Sequence, residues 1–157
     1  MTATNAKPVD GELLIERRFE APRALVFAAW TDRNHLVQWS CPRDMTLSAV
    51  DIEADIVQAG APYRICMTDA DGTEHWLSGV YRDVVAQSRL SYTAAWEDDA
   101  GQRGHETLVT VTFEDAGTGT KLTLHQTTFL SEDARDGHRQ GWDSTLDHLD
   151  AYLAALG

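Results

Sequence analysis

The strongest constraint in this sequence is a long stretch of strand-like sequence that ends in a single amphipathic helix. In residues 45–129, β-branched and aromatic residues alternate with polar ones between short turns, which is typical of antiparallel hairpins. The end of the chain follows helical periodicity instead. An antiparallel sheet with one apolar face must be covered, and this helix is the long element that can cover it. The stripe predicted to face the sheet consists of His138, Trp142, Thr145, Leu146, Leu149, Tyr152, Leu153 and Leu156.

Three turns set the register of the predicted hairpins. They lie at residues 69–73, 86–87 and 116–119. Directly opposed residues share a face, so the registers collect most large apolar side chains on one side of the sheet. The predicted pairs are Met67 with His75, Ile65 with Leu77, Tyr63 with Gly79, Leu90 with Asp83, Tyr92 with Tyr81, Ala94 with Gly79, Trp96 with Leu77, Phe113 with Leu122, Val111 with Leu124, and Val109 with Gln126.

The sequence before the hairpins predicts one strand and two short helices. Residues 12–19 favour a strand, the first helix follows Pro22, and the second carries Leu36 and Trp39. The predicted order is β, α, α, six β, α, which is an α+β protein with a seven-stranded antiparallel sheet. The length of 157 residues suits one domain, which we place at residues 11–157. Residues 1–10 are polar, and we predict a flexible N-terminus there.

Composition and charge exclude several classes of protein. There are 25 acidic and 13 basic residues, so the net charge is −12, which repels the phosphate backbone and predicts no nucleic-acid partner. The longest apolar run, residues 24–30, is too short to span a bilayer, so we predict no membrane insertion. The N-terminus lacks a signal pattern. Cys41 and Cys66 lack metal-site spacing, and so few cysteines predict a reduced, cytoplasmic protein.

The order and spacing of several segments resemble the SRPBCC superfamily, also called START-like or birch-pollen-allergen-like. More narrowly, the chain resembles the family named after the activator of the heat-shock-chaperone ATPase. The resemblance implies a helix-grip fold, in which a curved sheet wraps around a long C-terminal helix, and a hydrophobic cavity between them. It does not imply one activity, because the superfamily includes lipid carriers, hormone receptors and polyketide cyclases. The matching segments are residues 19–39, 60–67, 71–84, 89–96, 107–113, 119–124 and 141–153.

Aromatic and polar residues converge at one end of the predicted apolar face, which favours a ligand site with aromatic walls. The wall would include Trp96 and Trp142, and a histidine or glutamine would orient the ligand. The alternative is a sheet rim at which these polar groups meet solvent. The predicted ligand-binding residues are Trp39, Met67, His75, Tyr81, Tyr92, Trp96, His105, Gln126, Trp142 and Leu146.

Two glycines lie four residues apart in the predicted C-terminal helix. Each glycine in a helix interior costs about 1 kcal/mol relative to alanine. Gly137 and Gly141 therefore indicate either the close approach of a strand or space for a ligand. The alternative is a helix that begins later, near Arg139.

The sequence favours binding of a small hydrophobic or aromatic molecule. No residue is assigned a catalytic role, and no metal or cofactor is predicted, because the histidines lack ligand-like spacing and no phosphate-binding or nucleophile motif occurs. One alternative is a cyclase, aromatase or hydrolase that uses His75 or His105 as a proton carrier. Another, which the resemblance implies, is a module that regulates a protein partner. A homodimer is also left open.

Overall fold

The computed structural model describes residues 12–52, 55–127, 129 and 132–156. The predicted flexible segment, residues 1–10, lies outside this part of the chain. The predicted element order is confirmed. The elements are β1 (Leu13–Phe19), α1 (Arg23–Thr31), α2 (Arg33–Trp39), β2 (Thr46–Ile52), β3 (Pro62–Thr68), β4 (Glu74–Val85), β5 (Arg89–Trp96), β6 (Thr107–Ala116), β7 (Gly119–Thr127) and α3 (Glu132–Leu156).

The strands form one curved antiparallel sheet in the order β1-β7-β6-β5-β4-β3-β2. Strands β2 to β7 follow one another as neighbours, and β1 pairs with β7 at one edge. The short helices α1 and α2 therefore connect the two opposite edges of the sheet. Together with the long helix α3, this is the predicted helix-grip fold. Within the described residues, no helix has both the length and the apolar character needed to cross a membrane.

The predicted hairpin registers are confirmed, with one exception. Met67 pairs with His75, and Val109 pairs with Gln126. The exception lies in the β4–β5 hairpin, where Leu90 pairs with Val84 and not with Asp83. A β-bulge after Tyr81 inserts one extra residue into β4, and it brings an apolar side chain opposite Leu90 in place of a carboxylate.

Helix α3 packs on the apolar face of the sheet through its C-terminal half. Leu146, Leu149 and Leu153 are buried in the main hydrophobic cluster together with the inward residues of the strands. The helix begins at Glu132, so the alternative of a later start near Arg139 is wrong. Both glycines therefore lie inside the helix.

The two short helices are held beside α3 by specific polar contacts. Asp32 caps α2 by accepting a hydrogen bond from the backbone N–H of Asn34 at 2.9 Å. The indole Nε1 of Trp39 donates to the carbonyl oxygen of Ala29 at 2.9 Å, which ties α2 to α1. His35 Nδ1 and the Tyr152 hydroxyl lie 2.6 Å apart and link α2 to α3.

We predict that Gly79→Ala destabilises the sheet by about 1–3 kcal/mol, because a Cβ there would lie 1.8 Å from the carbonyl oxygen of Thr93. Gly137→Ala is the control: a Cβ there meets nothing within 4 Å, and alanine favours a helix by up to about 1 kcal/mol. Urea denaturation of both variants measures the difference. Equal midpoints for the two variants would contradict the close packing of β4 against β5.

We predict that Trp142→Ala lowers stability more than Trp76→Ala. Trp142 stacks on Trp30 with ring centroids 5.9 Å apart, so its loss costs about 3 kcal/mol or more. Trp76 lies on the opposite face of the sheet under the guanidinium of Arg64, 3.8 Å from the ring centroid, a contact worth about 1 kcal/mol. Denaturation midpoints compare the two variants. Similar losses would show that the assignment of the two faces is wrong.

Candidate functional site

A pocket of about 430 Å³ lies between the apolar face of the sheet and the N-terminal half of α3. Strands β2 to β7 contribute to its wall, α1 and α2 add side chains from one side, and α3 covers it. Its surface is largely aromatic and aliphatic. The aromatic lining residues are Trp30, Trp39, Tyr63, Tyr81, Tyr92, Trp96 and Trp142.

Two glycines of α3 lie beside the pocket space. Gly137 and Gly141 both line it, and a Cβ added at either position would meet no heavy atom within 4 Å. Of the two interpretations of these glycines, the close approach of a strand is therefore wrong. Because glycine has no side chain, the helix takes up less room at these two positions.

Most of the predicted binding residues are brought together in this pocket. The aromatic members come from α2, β4, β5 and α3, and Met67 and Gln126 come from β3 and β7. Trp96 is 40% exposed, so it lies at the opening. The predicted residues that line the pocket are Trp39, Met67, Tyr81, Tyr92, Trp96, Gln126 and Trp142.

Three predicted residues do not line the pocket. The Nε2 of His75 lies 3.0 Å from the Oδ2 of Asp69, so the imidazole pairs with the loop between β3 and β4. His105 is exposed, because the segment after Trp96 folds back on itself, with the Gly104 N–H bonded to the Trp96 carbonyl oxygen. Leu146 is fully buried in the core beneath the pocket.

Several lining residues escaped the sequence prediction. His138 and Thr145 lie one turn from Trp142 on the same stripe of α3. The periodicity predicts that both face the sheet, but neither is among the predicted binding residues. Trp30 and Tyr63 are not among the predicted binding residues, and they are buried core residues that also form the pocket wall. The sequence pattern indicates that these residues are buried, but it does not indicate that they also line a pocket.

A chain of hydrogen bonds holds one side of the pocket rigid. The Trp142 indole Nε1 donates to the Gln126 side-chain oxygen at 2.8 Å, and the Gln126 amide nitrogen donates to the Thr107 hydroxyl at 2.8 Å. Thr107 in turn donates to the carbonyl oxygen of Ala94 at 3.2 Å. Because Gln126 is only 1% exposed, these bonds satisfy a buried amide and fix the Trp142 ring.

A histidine lies at the opening of the pocket. The Trp96 indole Nε1 donates to His138 Nε2 at 3.4 Å, and the imidazole also lies against Phe129, with ring centroids 5.0 Å apart. Burial lowers the pKa of His138 below its ordinary value of 6.5. An acceptor role for Nε2 places the proton of the neutral ring on Nδ1.

Three tyrosines cluster on neighbouring strands of the pocket wall. The ring centroids of Tyr63, Tyr81 and Tyr92 lie 5.2 to 5.7 Å from one another. The Tyr63 hydroxyl donates to the Thr93 carbonyl oxygen at 2.6 Å. Burial raises the pKa of all three phenols, so they stay protonated and neutral.

The pocket offers little charge. Among the described residues that line it, Asp133 is the one carboxylate, and there is no lysine or arginine. Asp133 is exposed, at the start of α3. In the described part of the chain, no group of three histidine, cysteine, aspartate or glutamate side chains is placed to hold a metal ion. Burial raises the pKa of the Cys41 thiol, which disfavours its reactive thiolate form.

A family model described as activator of Hsp90 ATPase homolog 1-like protein matches residues 20–154. The chain belongs to this family. The family is part of the SRPBCC superfamily, so the resemblance of the sequence segments is confirmed. A search of curated proteins found no match. Membership in the activator of Hsp90 ATPase homolog 1-like family supports either a ligand-binding module or an Hsp90-activator-like module.

Solved structures share the fold over nearly the whole chain. The AHSA1 protein of Silicibacter pomeroyi is 28% identical, with a TM-score of 0.86, and the match covers 93% of this chain and 99% of that one. An uncharacterized protein of Rhizobium leguminosarum is 31% identical, with a TM-score of 0.78 and coverage of 93% and 95%. Protein CV1439 of Chromobacterium violaceum is 23% identical, with a TM-score of 0.78 and coverage of 91% and 96%, and shows the fold alone.

We predict that acid destabilises the protein in part through His138. Its pKa is lower in the folded chain than in the unfolded one, so the unfolded state binds a proton more readily below the ordinary value of 6.5. Stability from the neutral ring is complete above that pH and is lost as the pH falls through the folded-state pKa. Urea midpoints of wild type and His138→Gln at about pH 8 and about pH 5.5 test this. The wild type should lose more stability than the variant, and parallel losses would contradict the prediction.

Proposed function

We propose that this protein binds a small hydrophobic or aromatic molecule in the pocket between the sheet and α3. The observation that supports this most strongly is the open space beside the half-buried Gly141, within a largely aromatic lining. Protein interiors are normally packed without such space. Each glycine costs the helix about 1 kcal/mol relative to alanine, and room for a ligand would account for that cost.

The size and lining of the pocket fit a small organic molecule. Its volume of about 430 Å³ lies in the range of about 300–1,000 Å³ that is typical of small-molecule sites. Aromatic side chains supply large apolar contact area and stack on flat ligands. The bonds from Trp142 through Gln126 to Thr107 hold part of this wall in place before a ligand arrives, which lowers the entropy cost of binding.

The pocket lining gives the enzymatic alternative less support than the binding proposal. Neither His75 nor His105 lines the pocket, although the His75 ring lies against Trp96, with ring centroids 6.3 Å apart. His138 does line it, but its Nε2 accepts from Trp96 in this structure. Turnover of a bound compound that His138→Gln abolishes would favour an enzyme over a binding protein.

The protein-interaction alternative predicts an apolar patch outside the pocket. The exposed large apolar side chains of the described residues are spread over different elements, including Val37 on α2, Val85 on β4, Leu108 on β6 and Leu156 on α3. Stimulation of Hsp90 ATP hydrolysis by the purified protein would support this alternative. A homodimer, a protein partner and a cytoplasmic location stay predictions.

We predict that the neutral fluorescent probe N-phenyl-1-naphthylamine binds the wild type and is excluded by Gly141→Leu. A leucine at this position projects into open pocket space and fills it, whereas the helix itself tolerates leucine well. Probe fluorescence, titrated at equal protein concentration, gives the affinity. We expect a loss of about tenfold or more, equivalent to about 1.4 kcal/mol.

Ala151→Leu is the matched control, because it adds a leucine to the exposed side of the same helix. It should leave probe binding unchanged. Equal binding by Gly141→Leu and the wild type, with both folded by circular dichroism, would overturn the proposal that the pocket is the binding site.

A further inference from the structure

We infer that the ligand is an uncharged molecule carrying a carbonyl-type oxygen, which accepts hydrogen bonds from the hydroxyls of Tyr81 and Tyr92. This inference rests on the proposed function and narrows it to a class of ligand. Two independent features of the pocket support it: unused hydrogen-bond donors on its wall, and the absence of positive charge from its described lining.

The donors are identified by comparing the three clustered tyrosines. Tyr63 uses its hydroxyl within the protein, on the carbonyl oxygen of Thr93. The hydroxyls of Tyr81 and Tyr92 have no hydrogen-bond partner in the described part of the chain, although Tyr81 is only 6% exposed and both line the pocket. In the described part of the chain, the fully buried side-chain donor without a partner is the Trp30 indole N–H, so the two tyrosine hydroxyls border the open pocket space. A ligand that displaces water from them must supply an acceptor or leave these donors unpaired.

The geometry suits a single acceptor. Tyr81 and Tyr92 are direct partners across β4 and β5, so their side chains leave the sheet on the same face, and their ring centroids lie 5.5 Å apart. A carbonyl oxygen has two lone pairs and can accept from two hydroxyls at once. Both phenols are neutral, so they offer hydrogen bonds without demanding a charge on the ligand.

The charge of the pocket excludes an anion. A carboxylate that leaves water for an apolar site needs a cation beside it, and the described lining contains neither lysine nor arginine. The one carboxylate in that lining belongs to Asp133, and it repels an anion. The net charge of −12 on the whole chain adds to this repulsion. A fatty acid or an aromatic acid is therefore a poor ligand.

Three probes with the same ring system test the inference: 2-acetylnaphthalene, 2-ethylnaphthalene and 2-naphthoate. They place a carbonyl, a methylene and a carboxylate at the same position of one aromatic frame. Isothermal titration calorimetry and tryptophan fluorescence give the affinities. We expect the ketone to bind roughly tenfold more tightly than the hydrocarbon, from the net value of its hydrogen bonds. The carboxylate should bind more weakly than the ketone by at least roughly tenfold.

Tyr81→Phe and Tyr92→Phe should reduce the preference for the ketone over the hydrocarbon, because each removes one hydroxyl and keeps the ring. Tyr152→Phe is the matched control, because Tyr152 lies outside the pocket lining and its hydroxyl contacts His35. It should leave the ratio of the two affinities unchanged. The ratio measured on the wild type tests the class of ligand, and the two variants test which hydroxyls donate the hydrogen bonds.

The outcomes separate this inference from the proposed function. Equal affinity for ketone and hydrocarbon, or tightest binding of the carboxylate, would overturn the inference and leave the proposed binding function standing. A preference for the ketone that survives in both Tyr81→Phe and Tyr92→Phe would also overturn it, since the hydroxyls would then not be the donors. Failure of all three probes to bind would contradict both.

Discussion

The rest of the structure depends on how unevenly α3 packs against the curved sheet. Its C-terminal half carries Leu146, Leu149 and Leu153, whose buried side chains join the core and hold the helix to the sheet. Its N-terminal half carries Gly137 and Gly141, which leave open space above the same sheet face. The C-terminal half therefore holds the helix to the sheet, and the N-terminal half can pass over a pocket without the two layers separating.

The polar groups of the pocket divide into those the fold satisfies and those it leaves free. Gln126 bonds both Trp142 and Thr107, and this network makes the aromatic wall rigid. Among the described lining residues, the free groups include the hydroxyls of Tyr81 and Tyr92 and the indole N–H of Trp30. A rigid apolar wall with a few unused donors is the arrangement by which proteins select small organic molecules, because shape provides contact area and the donors fix orientation.

The sequence predicted the fold better than it predicted the site. Turn residues and alternation set the hairpin registers, because a slip of one residue would turn every apolar side chain to the solvent. The bulge after Tyr81 was missed because an extra residue in one strand depends on the partner strand. His75 was predicted as a ligand-binding residue from its register alone, yet the nearby carboxylate of Asp69 holds its ring.

Three features of this protein follow from its sequence alone: the order of its elements, the inward face of each strand and the positions of the glycines in the last helix. These are local properties, because periodicity, turn chemistry and helix propensity act over a few residues. Only the tertiary structure decided that Trp30, Tyr63 and His138 surround one pocket and that His105 lies outside it. The distances between side chains from separate elements depend on sheet curvature and helix position, which arise from packing the whole chain at once.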